Sequence, residues 1–393
     1  MLLYIHVPFC RKKCGYCTFY SVPLPEGGAG AGMVRGYLAT LLAELHFWGG
    51  RLGNAPVETV FFGGGTPSLL PAKALAGFLD EVRKTFSLAP AAEITAEANP
   101  ESALADGWLF EARSAGINRL SLGVQSFSDA DLARLGRVHD ARTAEAAFLT
   151  ARTAGFANIS LDLMWGLPGA PDRPQSQAQW LGQLKKIAEL KPDHVSAYGL
   201  TLEEATALAS ACEGGEYALP AEKELSSMYL AGADFLESRG FMQYEISNFA
   251  RMGFECRHNL GYWTGSDYLG LGPAATTTLE GRRWTNPPDP ARWRNAVREG
   301  SLDADAETLD KVDVLKELLM LRLRMSKGLA MKEYSAASGR AFSQDFGPLA
   351  ALLQKNGLAA SRNGWFRLTR SGMLVSDTIL AHFFDILSAQ QGR

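Results

Sequence analysis

The chain contains no uninterrupted apolar run approaching the ~20 residues that cross a bilayer, which excludes a helical membrane span. It has no marked excess of charge: 39 Lys and Arg stand against 42 Asp and Glu, a net of −3. Neither nucleic acid nor an anionic membrane is therefore attracted globally. Internal repeats are missing. The N-terminus leads directly into a strand-like segment, so no signal peptide is expected. Cysteine is scarce and odd in number, five in 393 residues with three in one short loop, which argues against a disulfide framework. The reducing cytoplasm is the compartment this implies. No further Cys or His sits close enough to that loop to complete a four-ligand structural zinc site.

What is present begins with those three cysteines. Cys10, Cys14 and Cys17 are spaced Cys-x3-Cys-x2-Cys within Tyr4-Ile-His-Val-Pro-Phe-Cys10-Arg-Lys-Lys-Cys14-Gly-Tyr-Cys17. Thiolates are soft ligands suited to iron–sulfur clusters, which usually take four of them. A trio leaves one iron of a four-iron cluster without a protein ligand, free to bind a substrate or cofactor. Tyr16, between two of the cysteines, is placed to pack over such a cluster, with an ordinary core aromatic as the alternative.

From the start to about residue 240, apolar runs alternate with amphipathic stretches. Strands are expected at Leu2–Val7, Thr59–Phe62, Glu93–Ala98, Leu120–Gly123, Ile159–Met164 and His194–Tyr198. Helices are expected near 34–48, 71–86, 106–115, 141–154, 176–190 and 221–239, and Pro23–Gly32 reads as a mobile loop. Six strand–helix units argue for a parallel sheet curved into a partial or complete β/α barrel. Ligands of such folds collect at the carboxyl ends of the strands, and the polar features fall there. The cysteine loop follows the first strand, and Gly63-Gly64-Gly65-Thr66-Pro67 follows the second. Glu97 closes the third, Gln125 follows the fourth and Asp162 sits late in the fifth. Glycines permit close backbone approach to a ligand; the spacing matches neither a dinucleotide fingerprint nor a P-loop. Arg137 carries a guanidinium able to grip a carboxylate with two hydrogen bonds. Each of these residues alone reads as structural; together on one rim they read as a site.

The domains expected are a barrel core over 1–240, an extension rich in aromatics and turns over 241–306, and a helical unit over 307–393. The last segment offers a helical run at Leu315–Arg324, a helix near 346–356, a hairpin turning at Asn363-Gly364, and a helix near 371–387. That is a winged-helix-like α+β arrangement. Its twelve Lys and Arg against eight Asp and Glu form no dense basic stripe, so packing against the barrel is expected rather than nucleic acid.

The cysteine spacing and the blocks around it resemble the radical S-adenosylmethionine (SAM) superfamily. Within it they resemble the oxygen-independent coproporphyrinogen III oxidase family and its heme-chaperone branch of the HemW type. The resemblance covers nearly the whole chain. It rests on the first cysteine block, Phe62-Gly-Gly-Gly-Thr-Pro67, Leu122-Gly-Val-Gln-Ser-Phe127, Leu161-Asp-Leu-Met-Trp-Gly-Leu-Pro168, Tyr244-Glu-Ile-Ser-Asn-Phe-Ala250, His258-Asn-Leu-Gly-Tyr-Trp263 and Tyr268-Leu-Gly-Leu-Gly-Pro273. It implies a 4Fe-4S cluster on Cys10, Cys14 and Cys17, and SAM contacts at Tyr4, Gly64, Gly65, Thr66, Glu97, Gln125, Arg137 and Asp162. An electron from the cluster would cleave SAM to a 5′-deoxyadenosyl radical.

Two features separate the branches. The oxidase usually carries a further cysteine two positions after the third, where this chain has Phe19, and a longer N-terminal extension. The His258-to-Trp263 block is characteristic of the chaperone branch, which implies heme as a ligand, with His258 as a candidate axial ligand and a structural hydrogen-bonding histidine as the alternative. Cys256 reads as a buried small side chain. The chain departs from the chaperone pattern at Gly272-Pro273-Ala274-Ala275-Thr276, where relatives often have Gly-Ala-His, and at Gly15 and Thr18, where Pro and Asp are frequent. The expected function is delivery of heme to acceptor proteins, with a reductase or flavodoxin-type electron donor. The alternative is radical chemistry on a tetrapyrrole, such as oxidative decarboxylation of coproporphyrinogen propionates.

Overall fold

The structure is a computed structural model and describes residues 1–391. Six apolar segments form β1 (Leu2–Val7), β2 (Pro56–Gly64), β3 (Ser87–Ala98), β4 (Arg119–Gln125), β5 (Asn158–Trp165) and β6 (His194–Gly199). They are followed by β7 (Met242–Gln243), β8 (Asn248–Ala250), β9 (Tyr268–Leu271), β10 (Thr276–Leu279), β11 (Arg282–Thr285) and β12 (Glu307–Thr308). Among the described residues these make one sheet ordered β12-β11-β10-β9-β1-β2-β3-β4-β5-β6-β8-β7. From β9 to β6 the pairings are parallel, and the strands beyond each end are antiparallel.

Alternation along the strands explains why the sheet closes on itself. On β5, Ile159, Leu161 and Leu163 are fully buried against the outer helices, while Ser160 and Asp162 point the other way. Side chains of β1 through β6 and of β8 line one interior cavity, so the sheet curves into an open β/α barrel. The outer layer includes α1 (Gly27–Leu52), α2 (Ala72–Thr85), α3 (Trp108–Ser114), α4 (Ala141–Thr153), α5 (Gln177–Leu190) and α6 (Glu222–Ser238).

The expected loop at Pro23–Gly32 is a correction: α1 begins at Gly27. Val34, Tyr37, Leu41, Leu45 and Trp48 recur at helical spacing and are buried, and that packing carries the helix back through a glycine-rich turn that propensity alone rejects. The region after 240, which lacks clear periodicity, supplies strands at both edges of the sheet and the short helix α7 (Arg257–Trp263).

A second hydrophobic core includes Leu315, Leu319, Leu323, Tyr334, Phe346, Phe366 and Phe383. It contains helices at Lys311–Leu323, Met331–Ser338 and Phe342–Lys355 beside a three-stranded sheet. Its hairpin turns at Asn363 and Gly364, both at positive φ, as the two-residue turn requires. The long helix expected at 371–387 is broken at Val375 into Arg370–Leu374 and Ser376–Gln391. No helix among the described residues is long and apolar enough to cross a membrane.

Candidate functional site

The cysteine loop and the glycine loop are tied together by backbone. After β2, Gly65 N donates to Val7 O at 2.7 Å and Thr66 N donates to Phe9 O at 2.7 Å. Gly64 stands at φ +103° with the His6 ring 2.6 Å from where a Cβ would lie, and a Cβ on Gly65 would meet Phe9 O at 2.5 Å. Glycine is therefore required at both positions for contact with the first loop. On the opposite side of the cysteines, Gly15 N donates to Leu135 O at 3.0 Å, and Leu208 N donates to Gly15 O at 2.8 Å.

Each sulfur meets a different neighbour. The Thr66 hydroxyl donates to Cys10 Sγ at 3.6 Å, and Arg137 Nη1 donates to Cys14 Sγ at 3.5 Å. Burial pushes the Cys17 thiol up, and the Cys14 and Cys10 sulfurs add to the rise. All three sulfurs thus share one electrostatic neighbourhood. Among the described residues no three His, Cys, Asp or Glu side chains converge as ligands of a single ion would. A four-iron cluster takes one sulfur on each of three irons. Soft donors on a loop braced from both sides fit such a cluster.

Arg137 reaches the cysteine loop from the far side of the rim. Its Nη2 donates to Asn99 Oδ1 at 2.6 Å and Gly123 O at 2.7 Å, and Nη1 is taken by Cys14. Its Nε has no partner among the described residues. The guanidinium braces Cys14 against the rim. Asn99, unnoticed in the sequence, also donates to the Thr66 hydroxyl at 3.2 Å and so links both sulfur neighbours. Tyr16 packs onto a small cluster of Leu135, Met164, Leu167 and Leu208. Gln125 ends β4 at φ +67°, beside an irregularity in the β4–β5 register, a strained position of the kind that gathers at functional rims.

Below the rim, the barrel encloses a polar cavity of about 230 Å3. Glu97 accepts from Gly64 N at 3.2 Å. Burial, reinforced by Asp162, pushes its carboxyl up to about 8. Asp162 is also raised by burial, against hydrogen bonds from serines; Ser121 donates to it at 2.9 Å and Ser160 at 3.0 Å. Tyr4 stacks on Phe61 and its hydroxyl meets His6 Nδ1 at 3.2 Å.

In this arrangement His258 makes the contacts of its hydrogen-bonding alternative. Nδ1 is 2.7 Å from the Thr59 hydroxyl, Nε2 is 3.0 Å from the Tyr262 hydroxyl, and the ring stacks on Phe61. Both ring nitrogens therefore have a hydroxyl partner. Burial, helped by Arg119, lowers it to about 3, so the imidazole is neutral. Glu93 caps α7, accepting from Arg257 N and His258 N at 3.0 Å each, where a helix N-terminus favours a carboxylate. Cys256 is buried, its thiol pushed up to about 12 by burial; its sulfur caps α7, accepting from Asn259 N at 3.5 Å, and a protonated thiol is unreactive.

Sequence reasoning missed Arg119 and His194 in the cavity. The signal was there: Arg119 and Ser121, then His194 and Ser196, are polar at period two inside otherwise apolar strands.

A model of the Radical SAM superfamily matches residues 4–178, and a model of the HemN C-terminal domain matches residues 309–375. The structure superposes on Escherichia coli coproporphyrinogen III oxidase (HemN), described as a radical SAM enzyme, with a TM-score of 0.81. That match covers 97% of this chain and 89% of the other at 23% identity, a likeness of fold. Barrel, braced cysteine loop and glycine loop define a radical SAM protein, the class whose cofactors are a 4Fe-4S cluster and SAM. The chain is 37% identical over 380 residues to the protein named heme chaperone HemW of Mycobacterium tuberculosis, covering 96% of this chain and 93% of that one. It is 36% identical over 386 residues to that of Escherichia coli, covering 97% of each. The chain belongs to the HemW family.

Proposed function

We propose that this protein binds heme and hands it to acceptor proteins, with Cys10, Cys14 and Cys17 holding the cluster. The observation that carries the reading is full-length similarity to relatives that bear the name heme chaperone. A groove of about 390 Å3 supports it. Its walls include Phe19 and Tyr20, just after the last cysteine, together with Tyr262 and Tyr268, and Phe19 is 69% exposed. A groove of aromatic faces suits a flat macrocycle. Tyr262 and Tyr268 meet edge to face at 4.8 Å, and Tyr262 is held from behind by His258. In this reading the His258 block contributes a tyrosine wall rather than an axial ligand.

Gly64, Gly65, Thr66, Glu97, Gln125 and Asp162 form the SAM-binding rim, with Tyr4 inside it. The bound cluster supplies one electron to the SAM sulfonium. Glu97 holds a proton near neutrality and can both donate to and accept from a ligand hydroxyl. Arg11, Lys12 and Lys13 are exposed on the cysteine loop and present positive charge to an acidic flavodoxin-type donor or reductase. A reducing cytoplasm would keep the three loop thiolates available to iron.

Titration of the anaerobic, cluster-loaded protein with heme tests the reading. A saturable shift of the Soret band is expected, weakened at least tenfold in Phe19→Ala and Tyr262→Ala. Absence of binding would sink the carrier function. Turnover of coproporphyrinogen III to protoporphyrinogen would replace it with the oxidase.

A further inference from the structure

Arg119 opens β4 level with Thr95 of β3 and lines the barrel cavity. Only 2% of the residue is exposed, and its Nε meets no acceptor. A guanidinium is a rigid fork of five donors shaped for a carboxylate, and unmet donors in a buried setting are costly. The acidic groups nearby answer its charge but not its fork. Glu93 is spent on the N-terminus of α7, and Asp162 on the hydroxyls of Ser121 and Ser160. Burial keeps His194 and His258 neutral. Among the residues lining the cavity, the fixed positive charge is Arg119.

The volume of about 230 Å3 lies below the ~300–1,000 Å3 of pockets that enclose a whole small molecule. The cavity therefore suits one arm of a larger ligand. Its boundary is informative: Tyr4 and Tyr262 line both this cavity and the aromatic groove outside. The two spaces thus share a wall of these two rings, and a short acidic chain reaching past that wall from the groove would approach Arg119.

We propose that Arg119 is a carboxylate receptor inside the barrel, pairing with the acidic arm of a ligand seated at the rim. Two ligands carry such an arm: a tetrapyrrole, through a propionate, which rests on the heme reading above, and SAM, through its methionine carboxylate.

The test compares wild type, Arg119→Gln and Arg119→Lys by equilibrium binding of heme, heme dimethyl ester and SAM. Folding is checked first by circular dichroism and melting. If the tetrapyrrole is the source, wild type binds heme at least tenfold tighter than its dimethyl ester. Arg119→Gln then loses that preference, and Arg119→Lys, which keeps the charge but not the fork, retains part of it. If SAM is the source, Arg119→Gln weakens SAM binding tenfold while heme and ester are untouched. Should Arg119→Gln fail to fold, Arg119→Lys and the heme-to-ester ratio in wild type distinguish the same two sources. Unchanged affinity for both heme and SAM in folded variants overturns the proposal. Heme failing to bind wild type instead rejects the carrier function and leaves the SAM measurement to judge Arg119.

Discussion

Glu97 shows how one residue couples the cavity to pH. In the fold its carboxyl is pushed up to about 8 by burial, with Asp162 adding to the rise, against about 4.3 for an unfolded glutamate. Between those values the folded chain holds a proton that the unfolded chain has released. The stability this group contributes is therefore complete below about pH 4.3 and is lost as pH rises through about 8. Glu44 and Glu245, raised by burial to about 8 and about 7, act in the same direction. Melting temperature should fall between pH 5 and 8, and Glu97→Gln should make that fall shallower. Identical slopes in the two proteins would show that Glu97 is already ionised in the fold. His258 carries a different expectation. Its removal strands the hydroxyls of Thr59 and Tyr262, so His258→Ala should cost about 2–4 kcal/mol in denaturant unfolding. Heme bound to the variant should keep an axial-ligand spectrum like that of wild type, because both imidazole nitrogens already meet hydroxyls. A changed ligand spectrum at unchanged stability would contradict this placement.

The cysteine and glycine loops act as one element, because Gly65 and Thr66 donate to the backbone of Val7 and Phe9. A methyl group at Gly65 would collide with two carbonyls, Phe9 O at 2.5 Å and Val7 O at 2.8 Å. Gly65→Ala should therefore lower stability by about 1–3 kcal/mol and reduce iron retained after anaerobic reconstitution. Full iron content with unchanged stability would show that the two loops are independent. Much at this scale was legible from the chain alone. The six core strands were expected near their observed positions, since apolar runs between turns leave little ambiguity. The hairpin at Asn363-Gly364 was equally plain, because few pairs tolerate two successive positive φ values. The start of α1 was not legible: its glycines argue for a loop, and only its packing shows otherwise. Arg119 escaped for a related reason, since one cation at the start of a strand looks like a solvated end until closure of the barrel buries it. Arg137 was found, but its partners were not, because Asn99 and Gly123 approach it only in three dimensions.

Across the whole molecule, the two hydrophobic cores meet at Trp165, which packs against both, and at Tyr229 of α6, and polar contacts reinforce that seam. Arg322, in the C-terminal unit, pairs with Glu333 and donates to the carbonyls of Trp263 and Thr264, the latter at 3.1 Å. Those carbonyls terminate α7, the helix that carries His258 and Tyr262. Ser326 donates to Gln243 O at 2.7 Å, and Arg370 pairs with Asp234 and Glu237. Arg322→Ala should lower stability by about 1–3 kcal/mol and separate the thermal unfolding of the two units, resolved by calorimetry as a broadened or double transition. A single sharp transition at the wild-type temperature would contradict that coupling.

The claim on which site and function both depend is that three sulfurs on one braced loop hold a 4Fe-4S cluster. Iron analysis after anaerobic reconstitution tests it most directly. Wild type should hold about four irons per chain, and Ser at Cys10, Cys14 or Cys17 should remove most of them, whereas Cys256→Ser should not. Wild-type iron content in all three loop variants would contradict the account.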